Sequence, residues 1–210
     1  MYARVSSASF ALPGPRSNRE RTEATRHALL EAARGLFVSK GYSDTSTPEV
    51  AVAAGITRGA LYHHFIDKRD LFRHVLQREA QSVREEIAAA TADDPDPQSA
   101  LSVGAQAYLR AMTVPGRTRL LLIDGPAVLG LADIAAIDEA NAADTLHEGL
   151  AAALGEHEVD VPALAKLLSS AFDRAALEID AGGDAERVGE TMAWLLQRVL
   201  ERPAAKPRKR

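Results

Sequence analysis

Cysteine is absent from the 210 residues, which rules out a disulfide scaffold, a thiolate zinc site and a cysteine nucleophile together. Long apolar runs are missing too. Nothing approaches the roughly 20 residues that span a bilayer, and the stretch from Met1 to Arg21 holds no apolar segment of signal-peptide length. A cytoplasmic protein with no membrane partner is expected. Strict apolar–polar alternation of strand length is found nowhere, and no glycine-rich phosphate loop occurs. Ser169-Ser170 lack the strand–turn–helix setting of a hydrolase nucleophile. No cofactor is expected, and no metal: His63 and His64 would point about 100° apart on a helix, without a third ligand nearby.

The formal net charge of −4 argues against nucleic acid only if charge is spread evenly, and it is not. Residues 1–80 carry 12 Lys or Arg against 8 Asp or Glu, whereas residues 81–205 carry 9 against 21. The last five residues, Lys206 to Arg210, are basic again. A basic leading part on an acidic body places the contact with a polyanion in the leading part.

Helical spacing then accounts for almost the whole chain, giving an all-α fold class. Residues 1–18 mix Ser, Pro, Gly and Arg without period and read as a disordered basic arm. Apolar positions Ala28, Leu29, Ala32, Ala33, Leu36 and Phe37 predict a helix over Thr22–Lys40, stopped by Gly41. Ser46 and Glu49 have capping-box spacing, with Pro48 tolerated in the first turn of a short helix that ends at Gly55. Thr57 caps a third helix, and Asp67 and Asp70 open a long one through about Ala90. The domains expected are a helix-turn-helix unit over 19–66, a connecting helix over 67–91, a helical ligand-binding and dimerisation domain over 92–203, and a basic tail over 204–210. Within 92–203 the helices predicted are Gln98–Thr113, Arg117–Ile123, Leu131–Leu154, Pro162–Ala181 and Ala185–Arg202, with a break at Gly125-Pro126.

Glu49 to Phe65 forms two short helices around a turn at Gly55, with Ile56 filling the angle between them. On a helical wheel Arg58, Gly59, Tyr62 and His63 share one face, and Ala60, Leu61, His64 and Phe65 the other. The first face suits a major groove: Arg58 for a guanine edge or phosphate, Gly59 for close approach. Lys68, and the hydroxyls of Thr45, Ser46 and Thr47, suit backbone phosphates.

The run Gly41-Tyr42, Thr45-Ser46, Val50-Ala51, Ala54-Gly55-Ile56-Thr57, Gly59, Leu61-Tyr62, His64-Phe65, Lys68 and Leu71 resembles the TetR family, of TetR/AcrR type, over about 50 residues. Leu120 to Gly130 is similar to the C-terminal domain of one of its subgroups. The resemblance implies an all-helical homodimer that binds a pseudo-palindromic double-stranded DNA operator. It implies phosphate contacts from Tyr62 and Lys68, with Thr47, Thr57, Arg58, Gly59, Ala60, His63 and His64 at or near DNA. Pro48 departs from the basic residue frequent there, leaving one anchoring contact unmatched. A C-terminal domain that binds a small-molecule inducer is also implied, and with it a repressor released by that inducer.

Tyr108, Met112, Ile123, Asp124, His147, Phe172 and Trp194 have the mixed aromatic, flexible and polar character of a ligand cavity, a character they share with plain core. Apolar stripes on the last two helices, including Leu164, Leu168, Phe172, Met192, Leu195 and Val199, suit a four-helix dimer interface or internal core. An activator, a ligand-free DNA-binding protein and a small helical enzyme using Asp124 and His147 remain as alternatives.

Overall fold

The computed structural model describes residues 18–155 and 159–201; the basic tail and all of the leading arm but Asn18 lie outside the described residues. Every described element is helical: α1 (Asn18–Asp44), α2 (Thr47–Ala53), α3 (Arg58–His64), α4 (Lys68–Thr91), α5 (Pro97–Met112), α6 (Arg117–Arg119), a π-helical turn (Leu120–Asp124), α7 (Gly125–Leu129), α8 (Leu131–Glu139), α9 (Ala142–Leu154), α10 (Val161–Asp180) and α11 (Ala185–Leu200). Short polar side chains start most of the longer ones. The carboxylates of Asp67, Asp96, Asp160 and Asp184 each accept from a backbone N–H one turn on, satisfying donors that a helix start leaves open. The capping box at Ser46 and Glu49 is present, as is the Thr57 cap, and Gly41 has φ 83° at the kink where α1 was expected to stop.

Leu29, Ala33 and Phe37 of α1, Val50 of α2, Leu61 of α3 and Leu71, Phe72 and Val75 of α4 close one core. Each large apolar side chain buried there contributes about 1.5–3 kcal/mol. The first half of α4 therefore packs with α1–α3, and the same core runs on into Leu120, Leu129 and Ile137. Gly116, at φ 77°, lets the chain after α5 lie against α1: a Cβ there would meet Val38 at 2.6 Å. The rest of α4 packs on α5, α9 packs between α5 and α10, and α11 packs against α5 and α10.

Two boundaries differ from the sequence expectation. Gly125-Pro126 does not break the chain, which stays helical to Leu129 and turns at Gly130. The wide π turn before it bonds Gly125 N–H to the Leu120 carbonyl, five residues back, and that looser register accommodates a proline that cannot donate. The single helix expected over Leu131–Leu154 is instead α8 and α9. Asn141 leaves helical geometry, and its side-chain amide donates to the Ile137 carbonyl at 2.6 Å, closing the end of α8.

Candidate nucleic-acid interface and ligand cavity

The α2–α3 pair is turned by Gly55 at φ 67°, a left-handed conformation that a side chain disfavours, and Ile56 packs on the core below. The wheel is realised: Leu61 and Phe65 are buried, Ala60 and His64 half-buried, and Arg58, Gly59, Tyr62 and His63 exposed. Tyr62 joins the two helices, its hydroxyl 2.9 Å from the Thr47 hydroxyl, with the Arg58 guanidinium 5.6 Å from its ring centre. The Thr47 hydrogen bond, and then Arg58, hold the phenol below its ordinary pKa. Ser46 and Thr57 are exposed at the starts of α2 and α3.

Three expected contact residues face inward. The Thr47 side chain is buried and its hydroxyl is taken up by Tyr62, so it positions that ring and is not exposed to phosphate. The Thr45 hydroxyl is buried and donates to the Gly41 carbonyl at 2.8 Å, so it has no free side for phosphate. The Lys68 ammonium donates to the carbonyls of Tyr42 and Thr45 at 2.8 Å and of Ser43 at 3.3 Å, and sits over the Tyr42 ring. All three of its protons have acceptors in the chain. Lys68 clamps the end of α1 against α4, which fixes the segment leading into α2.

In the body, α4, α5, α9 and α10 enclose a cavity of about 310 Å³, at the lower end of the roughly 300–1,000 Å³ of small-molecule sites. Of the residues expected there, Tyr108 and Phe172 line it, with rings 5.8 Å apart at 70°. The others do not. Met112 is buried in a neighbouring cluster with Val83 and Ala176, Ile123 is 50% exposed, Asp124 pairs with Arg119, His147 is half-buried outside the lining, and Trp194 is exposed on α11. The missed lining comes from small residues, Ala100, Gly104 and Ala105 on α5 and Gly149 and Ala152 on α9. Their spacing on adjacent helices was the available signal, since small faces leave room between helices.

Beside the cavity the Tyr108 hydroxyl donates to Asp173 at 2.6 Å, and the Ser169 hydroxyl approaches Asp138 at 3.4 Å. Burial raises both carboxyls, that of Asp138 to about 6 with Asp173 adding repulsion, and burial also pushes the Tyr108 phenol well up. A carboxyl whose folded pKa lies above its unfolded one costs stability where it is ionised, at high pH, and that cost fades as pH falls through about 6. Asp138→Asn should therefore stabilise the chain at pH 8, by up to about 3 kcal/mol, and lose the advantage by about pH 4. Thermal melts of both proteins across this range check it; an advantage that does not change with pH refutes the assignment.

Two short helices at a tight turn, with one exposed basic and aromatic face on a helical body that holds a small-molecule cavity, define a helix-turn-helix regulator. Residues 29–75 match the model for bacterial regulatory proteins of the tetR family, and residues 98–203 match the tetracyclin repressor-like C-terminal domain. The chain belongs to the TetR family. It is 37% identical over 108 residues to the HTH-type transcriptional regulator AcrR of Shigella flexneri, covering 51% of this chain and 50% of that one. It is also 37% identical over 99 residues to the HTH-type transcriptional repressor BepR of Brucella suis, covering 46% and 47%. The chain thus spans about half the length of the curated relatives it matches. A solved TetR-family regulator from Pectobacterium atrosepticum is 32% identical, with TM-score 0.66, over 92% of this chain and 100% of that one. Among the described residues no helix is long and apolar enough to cross a membrane.

Proposed function

We propose that the chain is a transcriptional repressor, a homodimer that binds a pseudo-palindromic operator through α3 and lets go when a small molecule fills the α4–α5–α9–α10 cavity. Arg58, Tyr62 and His63 face the groove, with Thr47 holding the Tyr62 hydroxyl from below, Ser46 and Thr57 face the phosphates, and Ala60 and His64 support them from the edge of the face. Thr45 and Lys68 hold this arrangement from behind. The reading needs no catalytic residue, and it suits the cytoplasm, where the operator lies. Ligand coupling of about 1–3 kcal/mol would change operator affinity about 5- to 150-fold.

One observation carries the DNA reading. Gly59 sits inside α3, where glycine costs about 0.5–1 kcal/mol relative to alanine, yet a Cβ there would meet nothing within 4 Å. Nothing inside the chain requires the glycine, and on this exposed face its bare backbone leaves room for a duplex to lie close. Gly59→Ala should raise stability by about that amount while weakening binding to the operator selected from a random duplex pool. A variant both more stable and equally tight on DNA would remove α3 from the interface.

A second copy docks on the outward faces of α10 and α11. Of the six residues expected at the dimer interface, Leu168, Phe172 and Met192 are already buried within the single chain, and Leu164, Leu195 and Val199 are half-buried against them. They are core first, because a partner cannot touch side chains that their own helices cover. The large apolar side chains left uncovered on these helices are Leu167, 72% exposed, and Trp194, 56% exposed.

A further inference from the structure

The cavity walls carry one sign of charge. Asp94 and Glu148 line it, while none of its lining residues is Lys, Arg or His. Behind Tyr108 and Ser169 stand Asp173 and Asp138, and among the described residues no ion pair involves either carboxylate. Two half-buried carboxylates side by side are costly unless something positive compensates them. The chain supplies two hydroxyls and, to Asp138, the Ala143 backbone N–H, all of them neutral donors. The remaining polar wall, Thr91 and Thr145, is neutral, and the Tyr108 and Phe172 rings line the cavity beside it. Aromatic faces attract cations, most strongly where water is displaced. An anionic ligand would meet Asp94 and Glu148 at the wall, with Asp138 and Asp173 close behind it, and no basic residue; a neutral one would leave Asp138 and Asp173 without a positive charge nearby.

Resting on the ligand-responsive reading above, we propose that this cavity selects a small organic cation, a lipophilic ammonium whose charged head lies against Tyr108 and Phe172 in the field of Asp138 and Asp173. Asp94 and Glu148, where the α4–α5 connection and α9 reach the surface, draw the cation to the mouth. The cavity thereby separates lipophilic cations from fatty carboxylates of the same length.

The test uses the full chain and three probes of equal length: hexyltrimethylammonium, its neutral tert-butyl isostere and the corresponding carboxylate. Titration calorimetry should show the ammonium binding at least about tenfold tighter than the neutral probe, with the carboxylate weakest. Asp173→Asn and Asp138→Asn, which keep side-chain shape, should each narrow the ammonium–neutral gap and leave neutral-probe affinity unchanged. Equal or tighter binding of the neutral or anionic probe overturns the proposal, as does the absence of ammonium binding, or a gap that both variants leave intact. A parallel titration on operator-bound protein separates the two readings. Ammonium binding that shows the expected selectivity but leaves DNA affinity unchanged supports the cation site and overturns induction.

Discussion

Replacing Glu79 by alanine should cost about 3–5 kcal/mol of stability, which for a chain of this size lowers the melting temperature by about 10 °C. Glu79 is only 4% exposed, yet it holds two arginines. Its carboxylate accepts from Arg34 of α1 at 2.8 Å and from Arg117 of α6 at 3.1 Å. Arg117 is itself buried and donates on to Glu86 at 2.8 Å and to the Ala111 carbonyl at 2.7 Å, while Arg34 reaches the Pro115 carbonyl. Removing the carboxylate leaves the buried Arg117 with Glu86 as its one remaining acid, 47% exposed, and leaves Arg34 without its carboxylate, and a buried charge left short of its partner costs more than a lost surface pair. Burial pushes the Glu79 carboxyl up, but its bonds to Arg34 and Arg117 outweigh that and leave its pKa below the ordinary value. A depressed carboxyl pKa adds stability that is present above the unfolded value and is lost as pH falls through the folded one. The deficit of Glu79→Ala should accordingly shrink in acid. Replacing Glu79 and Arg117 together by methionine should recover part of the loss, because the buried charge goes with its partner. Melts of the two variants decide: a single variant as stable as the parent, or a double variant less stable than the single one, refutes the network.

Glu79 also marks where the DNA-facing unit is tied to the body. Arg34 comes from the helix under the reading head, Arg117 from the start of the π-turn segment, and Glu79 from the helix that serves both. About two to three turns nearer the start of α4, Arg69 donates to the Val128 and Leu129 carbonyls, and both Arg69 and Arg73 reach Asp133 of α8. A change at the cavity walls on α4 and α5 can therefore reach α1–α3 through directed bonds as well as through packing.

The reading head was legible because its determinants are local. A cap, a glycine turn and a wheel of seven residues decide which face of α3 is buried, and all three lie within consecutive sequence. The role of Lys68 is hidden from the sequence for the opposite reason. Its partners are carbonyls more than twenty residues earlier, and backbone oxygens leave no mark in a sequence. The cavity was half legible: aromatic residues such as Tyr108 and Phe172 advertise a pocket, but the space itself is made by Gly104, Gly149 and their alanine neighbours. The acidic pair was hidden as well, since Asp138 and Asp173 lie on helices that only tertiary packing brings together. Core and interface on α10 and α11 could not be separated by periodicity, because both are apolar stripes and only the position of α5 decides which stripe is inward.

That distinction yields the largest expected effect on DNA binding. Leu167 and Trp194 face away from the chain's own core, so changing both to glutamate should leave the helices and the α10–α11 packing intact. Two copies meeting on this face would instead place four glutamates against one another where apolar surface was buried, and the dimer should separate. Each monomer would then hold a single half-site. Losing the second, tethered contact removes the effective-concentration gain of bivalent binding, about 10²- to 10⁴-fold, and operator affinity should fall by that factor. Phe172→Glu makes the contrasting control, because its ring is buried in the cluster with Leu109, Ala175 and Met192 and the charge should unfold the body. Sedimentation, circular dichroism and operator titration of both variants read out the difference. A Leu167→Glu/Trp194→Glu chain that stays dimeric with parental operator affinity moves the interface to another face of the molecule.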